Sequence, residues 1–211
     1  KYPQGDKNHN GILDAGDLIL NFSDGVDDDQ NGYVDDISGW DFLMDDNDPY
    51  EDTRFYHGSN QAKFAAAETN NAIGGAGVGP QCRFIPLRVG DSFIADSNDF
   101  GQATAYAADI GASAVECALG TINLSPFAQR AVEYAWEKGT IVTGSMADEN
   151  SKHHNMPNTA NYVFSAHAIV PNGSDGDVTS AQSFLCFDPG TNYGGNNYVS
   201  TSTGAASSGA A

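Results

Sequence analysis

At 211 residues the chain is long enough for one domain around a single buried core, and nothing in it asks for two. Its 28 Asp and Glu against 9 Lys and Arg give a formal net charge of −19, which argues against nucleic acid as a partner and for bound cations or a salty extracellular setting. No apolar stretch reaches the roughly 18 residues of a membrane helix, and no basic segment followed by an apolar one opens the chain, so no membrane partner is expected.

The chain starts at Lys1 rather than Met and reads as a mature, excised or incomplete product. Residues 1–55 are rich in Asp, Asn and Gly, with too little periodic apolar content to form a core. They carry two loops with calcium-ligand spacing. In the first, Asp6, Asn8, Asn10, the Ile12 carbonyl, Asp14 and Asp17 fall at positions 1, 3, 5, 7, 9 and 12, with Gly11 at the sharp turn of position 6. The second repeats the pattern with Asp27, Asp29, Asn31, Gly32, the Tyr33 carbonyl and Asp35, but Ser38 stands where a bidentate acid is wanted. Asp36, Asp45 or Asp48 are the acids near enough in sequence to substitute.

From His57 onward the texture changes. Residues 62–69 read as helix, 83–89 as a buried strand, 100–110 as helix, 113–119 as strand, 126–137 as helix, and 140–145 and 162–169 as strands. Helices alternating with short apolar strands predict an α/β fold: a mostly parallel sheet with helices on both faces. Gly111 and Gly139 sit where helix C-termini need a positive φ. The small-residue tail 204–211 suits a tightly packed helix, and Cys82, Cys117 and Cys186, each in an apolar segment, read as buried free thiols. His153-His154 beside Asp148 and Glu149 reads as a solvated loop rather than a metal site. Glu116, a carboxylate among apolar neighbours, either faces a substrate cleft or shares a proton with Asp148.

Several motifs in order resemble the subtilisin-like serine peptidases. They are the stretch from Asp27 to Asp36, Gly39-Trp40-Asp41-Phe42 and His57-Gly58, then Gly74-Gly75-Ala76-Gly77-Val78-Gly79-Pro80, Ile85-Pro86-Leu87-Arg88-Val89, Ala118-Leu119-Gly120, Asp188-Pro189-Gly190 and Ser200-Thr201-Ser202-Thr203-Gly204. The resemblance covers residues 24–211. It implies that His57 is the general base, that Ser202 is the nucleophile at the head of a small-residue helix, and that the substrate is a peptide or protein.

Three departures accompany it. Gly58-Ser59-Asn60, Gln61 and Lys63 replace the usual glycine-threonine-histidine run and the apolar packing residues that follow it. Asp148 aligns with the oxyanion-hole asparagine, where an ionised carboxylate repels the charge an amide would stabilise; a protonated Asp148, or Asn150 in a shifted loop, is the other donor weighed. The triad aspartate belongs on a strand upstream of the calcium segment. Asp14-Ala15-Gly16 mimics its signature, but Asp14 is read as a calcium ligand. Flanking segments or a partner chain are therefore expected to complete the fold. The leading reading is a secreted, calcium-stabilised serine endopeptidase; its rivals are a catalytically impaired relative serving as a structural or binding module, and a dockerin-like calcium module.

Overall fold

The computed structural model describes residues 5–51, 53–92, 94–121, 123–147, 151–170, 186–187 and 198–202, of which 167–170, 186–187 and 198–202 are described by their backbone alone. In chain order the elements are α1 (Ala15–Phe22), β1 (Trp40–Asp41), α2 (His57–Ala66), β2 (Leu87–Arg88), α3 (Ser97–Asp109), β3 (Ala114–Cys117), α4 (Pro126–Lys138), β4 (Ile141–Ser145), β5 (Val163–Val170), β6 (Cys186–Phe187) and β7 (Tyr198–Ser202). The alternation expected after His57 is what forms. The expected tail helix at 204–211 lies outside the described residues.

The helices begin and end where side chains can satisfy their terminal backbone groups. Ser125 accepts from the Ala128 N–H at 3.3 Å and Pro126 opens α4, the one helical position at which its missing N–H costs nothing. Gly139 closes the same helix at φ 88°, and its left-handed turn sends the chain into β4. Asp96 caps α3 through the Asn98 N–H at 2.7 Å.

β3, β4, β5 and β7 run parallel, with Cys117 opposite Gly144, Ser145 opposite Ala166, and Ile169 opposite Ser202. β6 pairs antiparallel with β5, so the sheet is mostly, not wholly, parallel. β1 and β2 form a separate parallel pair, joined to the large sheet by the bridge between Ile94 and Gly120. α3 and α4 pack side by side over the main core of Phe100, Ala108, Cys117, Ala128, Val132, Ala135, Val142 and Val163. Alanines dominate the helix faces, so the two helices approach closely; the ring of Phe127 lies 2.8 Å from where a Cβ on Gly101 would stand.

Three expectations are corrected. The first is that residues 1–55 have too little apolar content to form a core. Trp40 and Phe42 are buried; both pack edge-to-face on Tyr33, and Tyr33 and Phe42 pack edge-to-face on Tyr106 of α3, ring centroids 5.0–6.0 Å apart. A few large aromatics bury as much area as a periodic run of smaller residues, and no period announces them. The second is the strand at 83–89, which shortens to Leu87–Arg88 and leaves Phe84 and Ile85 exposed. Its partner β1 is only two residues long, and Pro86 has no N–H to give a ladder. The third is Cys82, which is exposed in a turn whose N–H bonds to the Gly79 carbonyl at 2.8 Å, whereas Cys117 is buried as expected and burial pushes its thiol up.

Helix α1 is an element that periodicity did not announce. Asp14 and Asp17 form a reciprocal capping box, each backbone N–H donating to the other's carboxylate, at 3.1 and 3.3 Å. Reading both acids only as cation ligands hid their helix-start signal.

Candidate active site

Parallel strands release their C-terminal ends on one edge of a sheet, and here that edge gathers the segments singled out from sequence. Ser202 is the last residue of β7. β4 ends at Ser145; the buried Met146 follows, bonded through its N–H to the Ala166 carbonyl at 2.9 Å, and Ala147 at φ 67° turns the chain sharply before residue 148. Asp148 itself, with Asn150, lies outside the described residues. Beyond β3, Gly120 accepts the Ala95 N–H at 3.0 Å, and the Thr121 N–H reaches the Met156 carbonyl at 3.0 Å. Asn155 Nδ2 stands 2.9 Å from the point where a side chain on Gly120 would begin, so a larger residue there would have to displace the Asn155 amide. Glu116, opposite Thr143, has an accessible surface, yet the density of atoms around it is enough for desolvation to raise its carboxyl.

His57 is the first residue of α2 and is partly buried, its ring stacked on Phe55 at 5.6 Å. Tyr56 before it adopts a left-handed conformation, φ 56°. The other end of α2 is held by main-chain bonds from Gly77, Val78 and Gly79 to the carbonyls of Ala67, Phe64 and Ala65, at 2.8–3.0 Å. Gly77 has no room for a Cβ, which would lie 2.3 Å from the Ala67 nitrogen. The glycine-rich segment is thus explained by close approach to the histidine helix.

The two acidic loops share one conformation. His9 and Gln30 have φ near 60°, and Gly11 and Gly32 follow at 85° and 95°. In the first loop Asp6 accepts the Asn10 and Gly11 N–H groups at 3.0 and 2.9 Å; in the second Asp27 accepts those of Asn31 and Gly32 at 3.2 and 2.8 Å. Asn10 donates to Asp14 at 2.7 Å, and Asn31 donates to Asp36 at 2.8 Å. Asp35 instead accepts the Asp24 and Gly25 N–H groups at 2.9 and 2.8 Å. Asp36 also accepts the Tyr106 hydroxyl at 2.6 Å, tying the second loop to α3. Burial and this bond push the Tyr106 hydroxyl up. Among the described residues no group of three His, Cys, Asp or Glu side chains is drawn together as a metal site; the loops divide their oxygens among Asp, Asn and main chain.

Asp17 locks the first loop to α1. No solvent reaches its surface. Burial opposes its ionisation, and the N–H groups of Asp14, Asn8 and Lys7, with His9 adding to them, outweigh that and hold the carboxyl below its ordinary 3.8. A carboxyl with a depressed folded-state pKa stabilises the fold above its unfolded pKa and loses that contribution as pH falls through the folded value. Melting temperature should therefore drop as pH falls below about 4, and Asp17→Asn should flatten this dependence. Melting curves of the two proteins between pH 2 and 5 check it; parallel curves exclude Asp17 as the source.

An open, mostly parallel sheet alternating along the chain with helices defines an α/β domain. The sequence profile of the Subtilase family matches residues 8–209, and the chain belongs to that family. It is 35% identical over 134 residues to the thermophilic serine proteinase of Bacillus sp. (strain AK1), covering 63% of this chain and 33% of that protein. To thermitase of Thermoactinomyces vulgaris it is 31% identical over 154 residues, 70% of this chain and 52% of the enzyme. The alignments thus span about a third and about half of these relatives. Among solved structures, a protease from Pseudoalteromonas arctica superposes with a TM-score of 0.56 over 67% of this chain and 42% of that one, at 24% identity, a likeness of fold.

Proposed function

We propose that the chain works in a secreted, calcium-stabilised serine endopeptidase that cleaves peptide or protein substrates by acyl transfer. The observation that carries this reading is the position of Ser202, which ends β7 at the carboxyl end of the parallel strands, with β5 between it and β4 and with β3 beyond β4. In the mechanism, the Ser202 hydroxyl attacks the scissile carbonyl while His57 takes its proton and returns it to the leaving amine; water then repeats the sequence on the acyl-enzyme. Family membership and the proteinase relatives support it. A fluorophosphonate probe tests it: the full chain should be labelled, and Ser202→Ala should not. Absence of labelling, with a control peptidase labelled in parallel, rejects the reading.

Calcium belongs to the same proposal, with residues 1–55 as its loop region and 56–211 as the sheet-and-helix remainder of one domain. Asp6, Asn8, Asn10, the Ile12 carbonyl, Asp14 and Asp17 would hold one ion. Asp27, Asp29, Asn31 and the Tyr33 carbonyl would hold another, with Asp36 in place of Asp35, the acid expected from spacing, because the Asp35 carboxylate is taken by the Asp24 and Gly25 N–H groups. Oxygen-only donors and a positive-φ glycine at position 6 of both loops fit a hard cation. Bound calcium would neutralise clustered carboxylates and brace the loop that adjoins Trp40 and Tyr106. A ligand bound only to the folded state stabilises it by about 2.7 kcal/mol when present at 100 times its dissociation constant. Excess chelator should therefore lower the melting temperature, and added calcium should restore it. An unchanged melting curve removes both loops from the proposal.

Secretion is supported by the acidic surface, which suits a salty medium, and among the described residues no helix is long and apolar enough to cross a membrane.

A further inference from the structure

We propose that Glu51 is a positioning residue for His57, a role that rests on the reading of His57 as the general base. A helix leaves its first N–H groups without partners, and its N-cap residue usually supplies one acceptor. The N-cap of α2 is Tyr56, whose side chain makes no capping bond. Glu51, five residues upstream, supplies instead the other half of a cap, an acceptor for the N-cap's own N–H. One carboxylate oxygen accepts the Tyr56 backbone N–H, and the other accepts the Ser59 hydroxyl at 3.2 Å. In a capping box the residue at the third helical position reaches back to the N-cap N–H. Here that position is Ser59, too short to do so, and Glu51 joins both points from outside the helix.

The clamp matters because packing holds this helix only partly: His57, Gln61, Ala62, Phe64 and Ala66 are half-buried and no residue of α2 is fully buried. Its far end is fastened by the bonds from Gly77, Val78 and Gly79, which leaves the first turn dependent on local contacts. Tyr56 must stay left-handed, φ 56°, for His57 to enter the helix where it does. A non-glycine residue holds that conformation only when its surroundings impose it. Glu51 grips the nitrogen of that residue, and its negative charge at a helix N-terminus is itself favourable. The Phe55 ring, stacked on His57, is carried by the same loop.

A base displaced by about 1 Å loses up to 10²-fold in rate, so Glu51→Ala in the full chain should lower kcat by about ten- to hundredfold on a peptide substrate, with KM and melting temperature nearly unchanged. Glu51→Gln keeps an acceptor for the Tyr56 N–H and a donor for the Ser59 hydroxyl, and should restore kcat to within about threefold of the parent. Ser59→Ala, which removes one of the two bonds and leaves Glu51 in place, should give an intermediate kcat; it carries the test if Glu51→Ala does not fold. The proposal is overturned if Glu51→Ala keeps kcat within about twofold, if Gln and Ala fall alike, or if the loss in kcat follows a matching loss in melting temperature. His57→Ala in the same series separates the two ideas. Should it retain activity, the reading of His57 fails whatever Glu51 does; should it abolish activity while Glu51→Ala does not reduce it, only the role of Glu51 fails.

Discussion

His57→Ala and Ser202→Ala should each lower kcat by on the order of 10⁶-fold, the magnitude known for the corresponding residues of subtilisin itself, and the double variant should lose little more than either single one. A neutral hydroxyl is a poor nucleophile, and the imidazole raises its reactivity by taking the proton as the carbon–oxygen bond forms. Without the imidazole the proton has no acceptor; without the hydroxyl the imidazole has nothing to activate. If the pair acts as one unit, as proposed, its losses will not add. Ser202 and His57 are also separated by 145 positions in the sequence and come from a strand end and a helix start, so neither substitution disturbs the other's local structure. Single-turnover kinetics on an ester substrate, with melting curves as a folding control, give the measurement. Residual activity near that of the parent in either variant would exclude that residue from the chemistry.

Asp148→Asn should raise kcat by about 10²- to 10³-fold, the reverse of the loss known when the oxyanion-hole amide of subtilisin is removed. Attack on the carbonyl moves a full negative charge onto oxygen. An ionised carboxylate at the position that aligns with the amide repels that charge, while an asparagine Nδ2–H donates to it in a site from which water is excluded. The charge exists only in the transition state and the intermediate, so the gain should fall in kcat and leave KM largely unchanged. Ala147, left-handed at φ 67°, follows β4 and directly precedes Asp148 in the chain. An unchanged kcat would mean that another group, Asn150 among those weighed, supplies the donor. A fall would mean that a protonated Asp148 already does.

Much of the fold was legible because local chemistry announces it. Ser125-Pro126 at one end of α4 and Gly139 at the other bracket a helix by backbone rules that need no partner, and the apolar runs of β4 and β5 alternate with helices as a parallel sheet requires. What escaped was what local chemistry does not encode. Trp40 and Phe42 lie in an acidic, aperiodic stretch, and their burial depends on Tyr106, more than sixty positions away. Phe84 and Ile85 have strand-forming side chains, yet sheet formation needs a partner ladder and only two residues of β1 provide one. The calcium spacing was readable in both loops. The turn of Asp35 toward the Asp24 and Gly25 nitrogens, with Asp36 accepting from Asn31, was not, because residues one apart differ only in where the folded chain points them.

By itself, then, the sequence determined α3 and α4 with their caps, their alternation with β3, β4 and β5, the repeated oxygen-donor spacing and the identity of the candidate hydroxyl and imidazole. Each depends on residues within a turn or two of one another, where backbone sterics and short-range hydrogen bonds dominate. Only the tertiary structure decided that the ends of β3, β4 and β7 share one edge, that the acidic head adds aromatics to a second core, and that Glu51 braces the start of the histidine helix. Those relations join groups distant in sequence or set by loop geometry, and the free energy that selects them comes from burial and pairing across the whole domain rather than from any one segment.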